Sequence, residues 1–187
     1  MINDDSDDLV ARAQNGGPAD AGGLYSRYYL SIYRYLYYRT GDALTAEDLT
    51  AEVFLKMVRA LPSYRPGIVP FQAWLYQIAR NMAIDHYRRS QHYSLVELDE
   101  NLDGDHPDLD SLVDLHLTSA DLVEGLKKIE ETQRDVLLLR FIEGLSINET
   151  ADILHKSLDA VKALQRRGLQ ALRTQLKRLK VDDDGSR

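Results

Sequence analysis

Apolar side chains recur every three or four positions through most of the chain, the period of helices lying on a core. Leu24, Tyr28, Ile32, Tyr35 and Leu36 predict a helix over 24–39. Leu49, Val53, Met57 and Leu61 form the next stripe, with Phe54 beside it and Pro62 as its stop. Thr45 is the expected N-cap of that helix, with Asp48 three residues on. Residues 63–70 read as a loop because prolines and a glycine crowd them, and Pro70 suits the first turn of a following helix. Phe71, Trp74, Leu75, Ile78 and Met82 give that helix a buried face; Gln77, Asn81, Asp85 and Arg88 share another.

The period is lost after residue 90. Through 91–118, Gly104 and Pro107 sit among acids and the apolar residues keep no clear period, so the segment reads as an interdomain linker, ordered in part by Leu109, Leu112 and Leu115. Helical spacing returns with Leu122, Leu126 and Ile129. Thr132 is the expected cap of a second helix, with Asp135 at its third position, ahead of Val136, Leu137, Leu139 and Phe141, and Gly144 is its end. Ser146 and Glu149 form a capping box before Ala151, Ile153 and Leu154. His155-Lys156 is a tight break, and Ser157 caps a long helix running from Leu158 to about Arg178. No stretch alternates with the period of a strand. The expected fold is all-α: two compact helical domains, 1–90 and 119–187, joined by an acidic linker, 91–118. The tyrosines between Tyr25 and Tyr38 are expected to bury their rings and send their hydroxyls to the surface. Residues beyond Lys180 are expected to fray.

Composition changes this picture little, but charge changes it a good deal. Cysteine is absent, which excludes disulfides and thiol chemistry. No run approaches the roughly 18 apolar residues that span a bilayer, and the acidic N-terminus lacks the features of a signal peptide. A cytoplasmic protein with no membrane insertion is therefore expected. The net charge of −7 argues against nucleic acid only while it is taken as one number. Residues 93–126 hold ten acids and no Lys or Arg, whereas 155–180 hold eight bases and one acid, Asp159. Screening confines charge effects to about 8–10 Å, so the local basic surface governs attraction to phosphate.

Two constellations carry candidate chemistry. Short helices at 146–154 and 158 onward, joined by a three-residue turn with the second helix basic, read as a helix-turn-helix. Lys156, Ser157, Lys162, Gln165 and Arg166 lie where a recognition helix meets base edges and phosphates in the major groove. The plainer reading is a hairpin with a solvated basic face. The second constellation is loop 63–70 with helix 71–89, where Tyr64, Arg65, Asn81, Tyr87, Arg88 and Arg89 set bases beside aromatics. Single-stranded DNA is held by such pairs of cation and ring; alternatively Asp85 and Arg89 form a simple i, i+4 pair. Enzyme signatures are poor. The five histidines are scattered, and no nucleophile elbow or phosphate-cradling loop occurs. The run Asp103 to Asp108 lacks the glycine and terminal glutamate of a calcium loop. Neither a catalytic residue, a metal nor a cofactor is expected.

The segments 46–55 (Ala-Glu-Asp-Leu-Thr-Ala-Glu-Val-Phe-Leu) and 71–89, from Phe71-Gln72-Ala73-Trp74 to Tyr87-Arg88-Arg89, together with the helix-turn-helix, resemble a bacterial sigma-70 family sigma factor of the extracytoplasmic-function (ECF, group 4) type. The resemblance covers roughly 7–90 and 119–178. It implies a protein that is not an enzyme. It would bind core RNA polymerase and direct transcription initiation at promoters. Asp48, Glu52, Phe54 and Lys56 would hold the polymerase. Lys156, Ser157, Lys162, Gln165 and Arg166 would read the −35 duplex. Tyr64, Arg65, Asn81, Asp85, Arg88 and Arg89 would capture melted, single-stranded −10 DNA. An anti-sigma factor is a further implied partner.

The chain departs from the family pattern at Ala51, where glutamine is frequent, and at His155, which replaces the turn glycine. It departs again at Ala160 and Leu164, where threonine and a basic residue are frequent. These bear on one polymerase contact and on the −35 sequence preference. The linker acids suit either mimicry of nucleic acid in a polymerase channel or a solvated spacer. The competing function is a stand-alone helix-turn-helix regulator with an N-terminal effector or dimerisation domain; a helical adaptor with two solvated basic faces is a third.

Overall fold

The computed structural model describes residues 4–16, 18–90 and 118–184, all helix and connecting turn with no strand among them. Its helices are α1 (Asp4–Asn15), α2 (Pro18–Thr40), α3 (Ala43–Ala60), α4 (Phe71–Ser90), α5 (Ser119–Lys127), α6 (Glu131–Leu137), α7 (Ile147–Leu154) and α8 (Leu158–Asp184). A 3-10 turn, Leu61–Ser63, follows α3, and a π-helical turn, Leu138–Ile142, extends α6.

The N-terminal half packs α2 against α1, α3 and α4. Leu24, Ile32 and Leu36 of α2, Val53 and Met57 of α3, and Leu75 of α4 are fully buried there. These are the stripes that the sequence marks. α1, which the periodicity does not predict, contributes Val10 to the same core. Gln14 at its end donates to the carbonyls of Leu61 (2.9 Å) and Tyr64 (2.8 Å), fixing the loop that leads to α4.

The C-terminal half wraps α5, α6 and α7 around α8. Val161, Leu169, Leu172 and Leu176 form the inward stripe of α8. Ser146 and Glu149 make the predicted capping box at α7, and Ser157 accepts from Ala160 N–H (3.2 Å) at the start of α8. Two expected caps move. Asp42 caps α3, accepting from Thr45 N–H at 2.8 Å, so Thr45 is the residue capped. Glu130 caps α6 by accepting from the N–H groups of Thr132 and Gln133. Asp135 is consequently not a capping group: it is wholly buried.

The halves also pack against each other, α4 against α7 and α2 against α5 and the π turn. The buried residues of both halves form one continuous cluster. The linker, with its acids and the run 103–108, lies outside the described residues apart from Thr118, which caps α5.

Candidate nucleic-acid and polymerase interfaces

α8 begins with the exposed face that a reader of duplex DNA needs. The turn before it passes through His155, which ends α7 in the left-handed conformation (φ 51°, ψ 46°). Lys156 N–H closes the turn onto Ala151 O at 3.0 Å. Lys156, Ser157, Lys162 and Arg166 are all exposed, as is Arg167. Lys162 keeps only a loose 3.7 Å contact to the exposed Asp159, so its charge remains available. Gln165 differs from its neighbours. It is half-buried, and its side-chain oxygen accepts from Arg140 Nε at 3.2 Å, which makes it a brace between α8 and the π turn. Gly168 permits this packing: a Cβ there would stand 3.2 Å from Gln133 Cβ and Leu137 Cγ.

On α4, Asn81, Asp85 and Arg88 follow one another at i, i+4 and i+7, and all are exposed, as is Arg89. Arg89 Nε donates to the backbone carbonyl of Asp85 at 3.2 Å, so the Asp85 carboxylate is not taken up by this contact. Arg65 is exposed on the loop. Tyr64 is not: it is 6% exposed, its hydroxyl donates to Val69 O at 2.7 Å, and its ring packs on Phe71 and Trp74. In this structure Tyr64 holds the loop's shape. Ile68, 78% exposed at the loop tip, carries the apolar surface instead, and nothing in its spacing flags it.

A third face runs along α3. Asp48, Glu52 and Lys56 are exposed there. Leu44 and Leu55, at 73% and 58% exposure, fall on the same side at helical spacing. Phe54 points the other way. It is 5% exposed, with its ring edge-on to Tyr25 at 4.8 Å, which places it in the core. The signal for Leu44 and Leu55 was present in the sequence, since both share the face of Asp48 and Glu52 and not the stripe of Leu49, Val53 and Met57.

Residues 24–93 match the family described as Sigma-70 region 2, and residues 125–174 match Sigma-70, region 4. The ECF RNA polymerase sigma factor SigX of Bacillus subtilis is 33% identical over 171 residues, covering 86% of this chain and 87% of that protein. This chain belongs to the ECF sigma factor family. The ECF RNA polymerase sigma factor BldN of Streptomyces coelicolor is 41% identical over 169 residues, covering 88% of this chain; the matched part is 63% of the length of BldN. The fold is shared with CnrH, solved in complex with the cytosolic domain of CnrY (TM-score 0.68, 24% identity, 94% of this chain and 96% of that one). It is shared also with the sigma factor RpoE of Bartonella quintana, solved with the anti-sigma factor NepR (TM-score 0.65, 20% identity, 84% and 97%). In this ECF sigma factor the α3 and α4 faces thus fall within region 2, and the helix-turn-helix within region 4. No helix of the described residues is long and apolar enough to cross a membrane.

Proposed function

We propose that this ECF sigma factor docks on core RNA polymerase through the exposed face of α3 and directs initiation by reading two promoter elements. Asp48, Glu52 and Lys56, with Leu44 and Leu55, form the docking face. Lys156, Ser157, Lys162 and Arg166 enter the −35 major groove, with Gln165 bracing α8 from behind. Arg65, Asn81, Asp85, Arg88 and Arg89 receive the unpaired −10 strand. Extruding a base costs a few kcal/mol of stacking, which contacts along α4 and the loop offset. The polymerase makes the bonds; this chain performs no covalent chemistry and acts in the cytoplasm. CnrH and RpoE were solved with CnrY and NepR bound, which supports an anti-sigma factor as a further partner here.

The α3 face is the observation that carries this reading. Two leucines more than half exposed share the α3 face with Asp48, Glu52 and Lys56, which supports docking on a protein partner beside DNA binding. The test is co-elution of the full chain with core RNA polymerase, followed by run-off transcription. Glu52→Arg and Leu55→Asp are expected to abolish co-elution while the chain stays folded. Tight, specific promoter binding without polymerase, unaffected by these changes, would instead support the stand-alone regulator.

A further inference from the structure

The first turn of α8 carries two side chains that attraction to phosphate does not use. Leu158 opens the helix and is 44% exposed. Asp159 follows it with a side chain 95% exposed, held only by the loose 3.7 Å approach to Lys162. Both stand on a formed helical turn: Ser157 accepts from Ala160 N–H at 3.2 Å through its hydroxyl and from Val161 N–H at 3.0 Å through its carbonyl. Val161 is wholly buried and fixes the rotation of that turn. Leu158, Lys162 and Arg166 then follow one another at i, i+4 and i+8 along the exposed side. Asp159 lies beside them, about 100° round the axis from Leu158.

An exposed acid is out of place on such a surface on electrostatic grounds. Asp159 is the one acid among the eight bases of 155–180. Against a phosphate backbone it opposes the attraction that its neighbours supply. A recognition helix, however, meets base edges with its N-terminal residues, and the floor of the major groove presents hydrogen-bond donors as well as acceptors. Cytosine offers its N4 amino group there with no acceptor of its own beside it. Adenine couples its donor to the N7 acceptor, and guanine presents two acceptors, N7 and O6, which repel a carboxylate. Asp159 therefore selects cytosine. Leu158 has an apolar side chain, and its exposed surface matches the one apolar group in the major groove, the C5 methyl of thymine. Ala163, one turn on from Asp159, carries no side chain long enough to hold the helix off the bases.

The plainer role for Asp159 is to favour the positive end of the α8 dipole, as acids in a first turn do. That role stabilises the helix and is blind to DNA sequence, so the two roles separate by experiment.

We propose, resting on the −35 reading above, that Leu158 and Asp159 are specificity-determining residues of this chain. Leu158 packs on a thymine methyl and Asp159 accepts from a cytosine amino group in the −35 element, while the cations around them supply attraction that is independent of sequence.

Templates randomised across the −35 and −10 segments, each with a transcribed barcode, test this with the full chain and core RNA polymerase. The wild type is expected to enrich a thymine at one −35 position and a cytosine at another. Leu158→Ala is expected to lose the thymine preference alone, and Asp159→Ala the cytosine preference alone. Replacing that thymine by deoxyuridine removes only the methyl group. Transcription by the wild type should then fall about fourfold, the equivalent of one buried carbon, and transcription by Leu158→Ala should not change. Leu158→Arg should move the preference at its position to guanine, the base that arginine takes bidentately.

Thermal midpoints of the variants are read in parallel. A lower midpoint in Asp159→Ala with the cytosine preference intact shows the dipole role alone and overturns the assignment of Asp159. Equal transcription of the thymine and deoxyuridine templates by the wild type overturns that of Leu158. If no template is transcribed, the polymerase-dependent function is what fails. The same randomised duplexes are then retained on the immobilised full chain at low salt, where the two preferences support base reading and their absence overturns it.

Discussion

Phe54 and Leu55 are sequence neighbours with opposite fates, because one step of a helix turns a side chain by about 100°. Phe54 falls beside the stripe of Val53 and Met57 and packs on Tyr25; Leu55 faces solvent. Phe54→Ala should therefore destabilise the chain by about 3–5 kcal/mol in urea unfolding, and any loss of polymerase binding should follow that unfolding. Leu55→Asp should change stability by less than about 0.5 kcal/mol while removing co-elution. Gly41 makes a comparable point where α2 packs on α5. It ends α2 at φ +70°, and a Cβ there would lie 2.7 Å from Val123 Cγ1 and 2.2 Å from Lys127 Cε of α5. Gly41→Ala adds about 1–2 kcal/mol of left-handed strain to that clash. The expected result is a lower thermal midpoint in circular dichroism.

At the scale of elements, what was legible is what repeats locally. The stripes of α2, α3, α4 and α8 are periodic, and the cap of α7 is a four-residue signature, so all were visible in the sequence. α1 was not, because Leu9 and Val10 are too few to set a period and its tie to the loop is a single side chain, Gln14, reaching residues far along the chain. The caps of α3 and α6 were placed late because Thr45 and Thr132 each sit a few residues behind a carboxylate that takes the cap: Asp42, a stronger capping residue than Thr, and Glu130, which lies outside the usual capping set. Asp42 and Asp121 are now the capping acids with a pH signature. Hydrogen bonds from Thr45 hold the Asp42 carboxyl below its ordinary 3.8, and those from Thr118 do the same for Asp121. A depressed carboxyl lends stability that is complete above 3.8 and is lost as pH falls below it. Acid titration followed by circular dichroism should show the chain weakening below that value. In Asp42→Asn, which still caps but does not titrate, that part of the acid dependence should be absent.

At the scale of the whole molecule, pairing of distant charges is the part no spacing reveals. Asp135 stands between Arg134 and the apolar run from Val136 to Leu139, and its place three residues after Thr132 made it read as part of a helix start. Its partners Arg39 and Arg80, however, lie 96 and 55 residues away. Burial also lowers the pKa of Arg134, with Arg39 as the next cause. Arg134 nevertheless reaches the Arg39 carbonyl at 3.3 Å, at the negative end of the α2 dipole. None of the arginines in these contacts, Arg39, Arg80 and Arg134, lies on α8, so the exposed bases of α8 remain available for phosphate.

That count fixes a quantity. Lys156, Lys162, Arg166 and Arg167 are the exposed bases near the start of α8. Log affinity falls against log salt by about 0.9 for each phosphate neutralised, so four contacts give a slope of about −3.6. The free chain carries a net −7 and should bind promoter duplex weakly, with a slope no steeper than this. Lys162→Gln should flatten the slope by about 1 if that lysine meets phosphate. A slope near −8 in fluorescence anisotropy would require contacts well beyond these four, from the bases farther along α8 or from α4 and Arg65 on the same duplex.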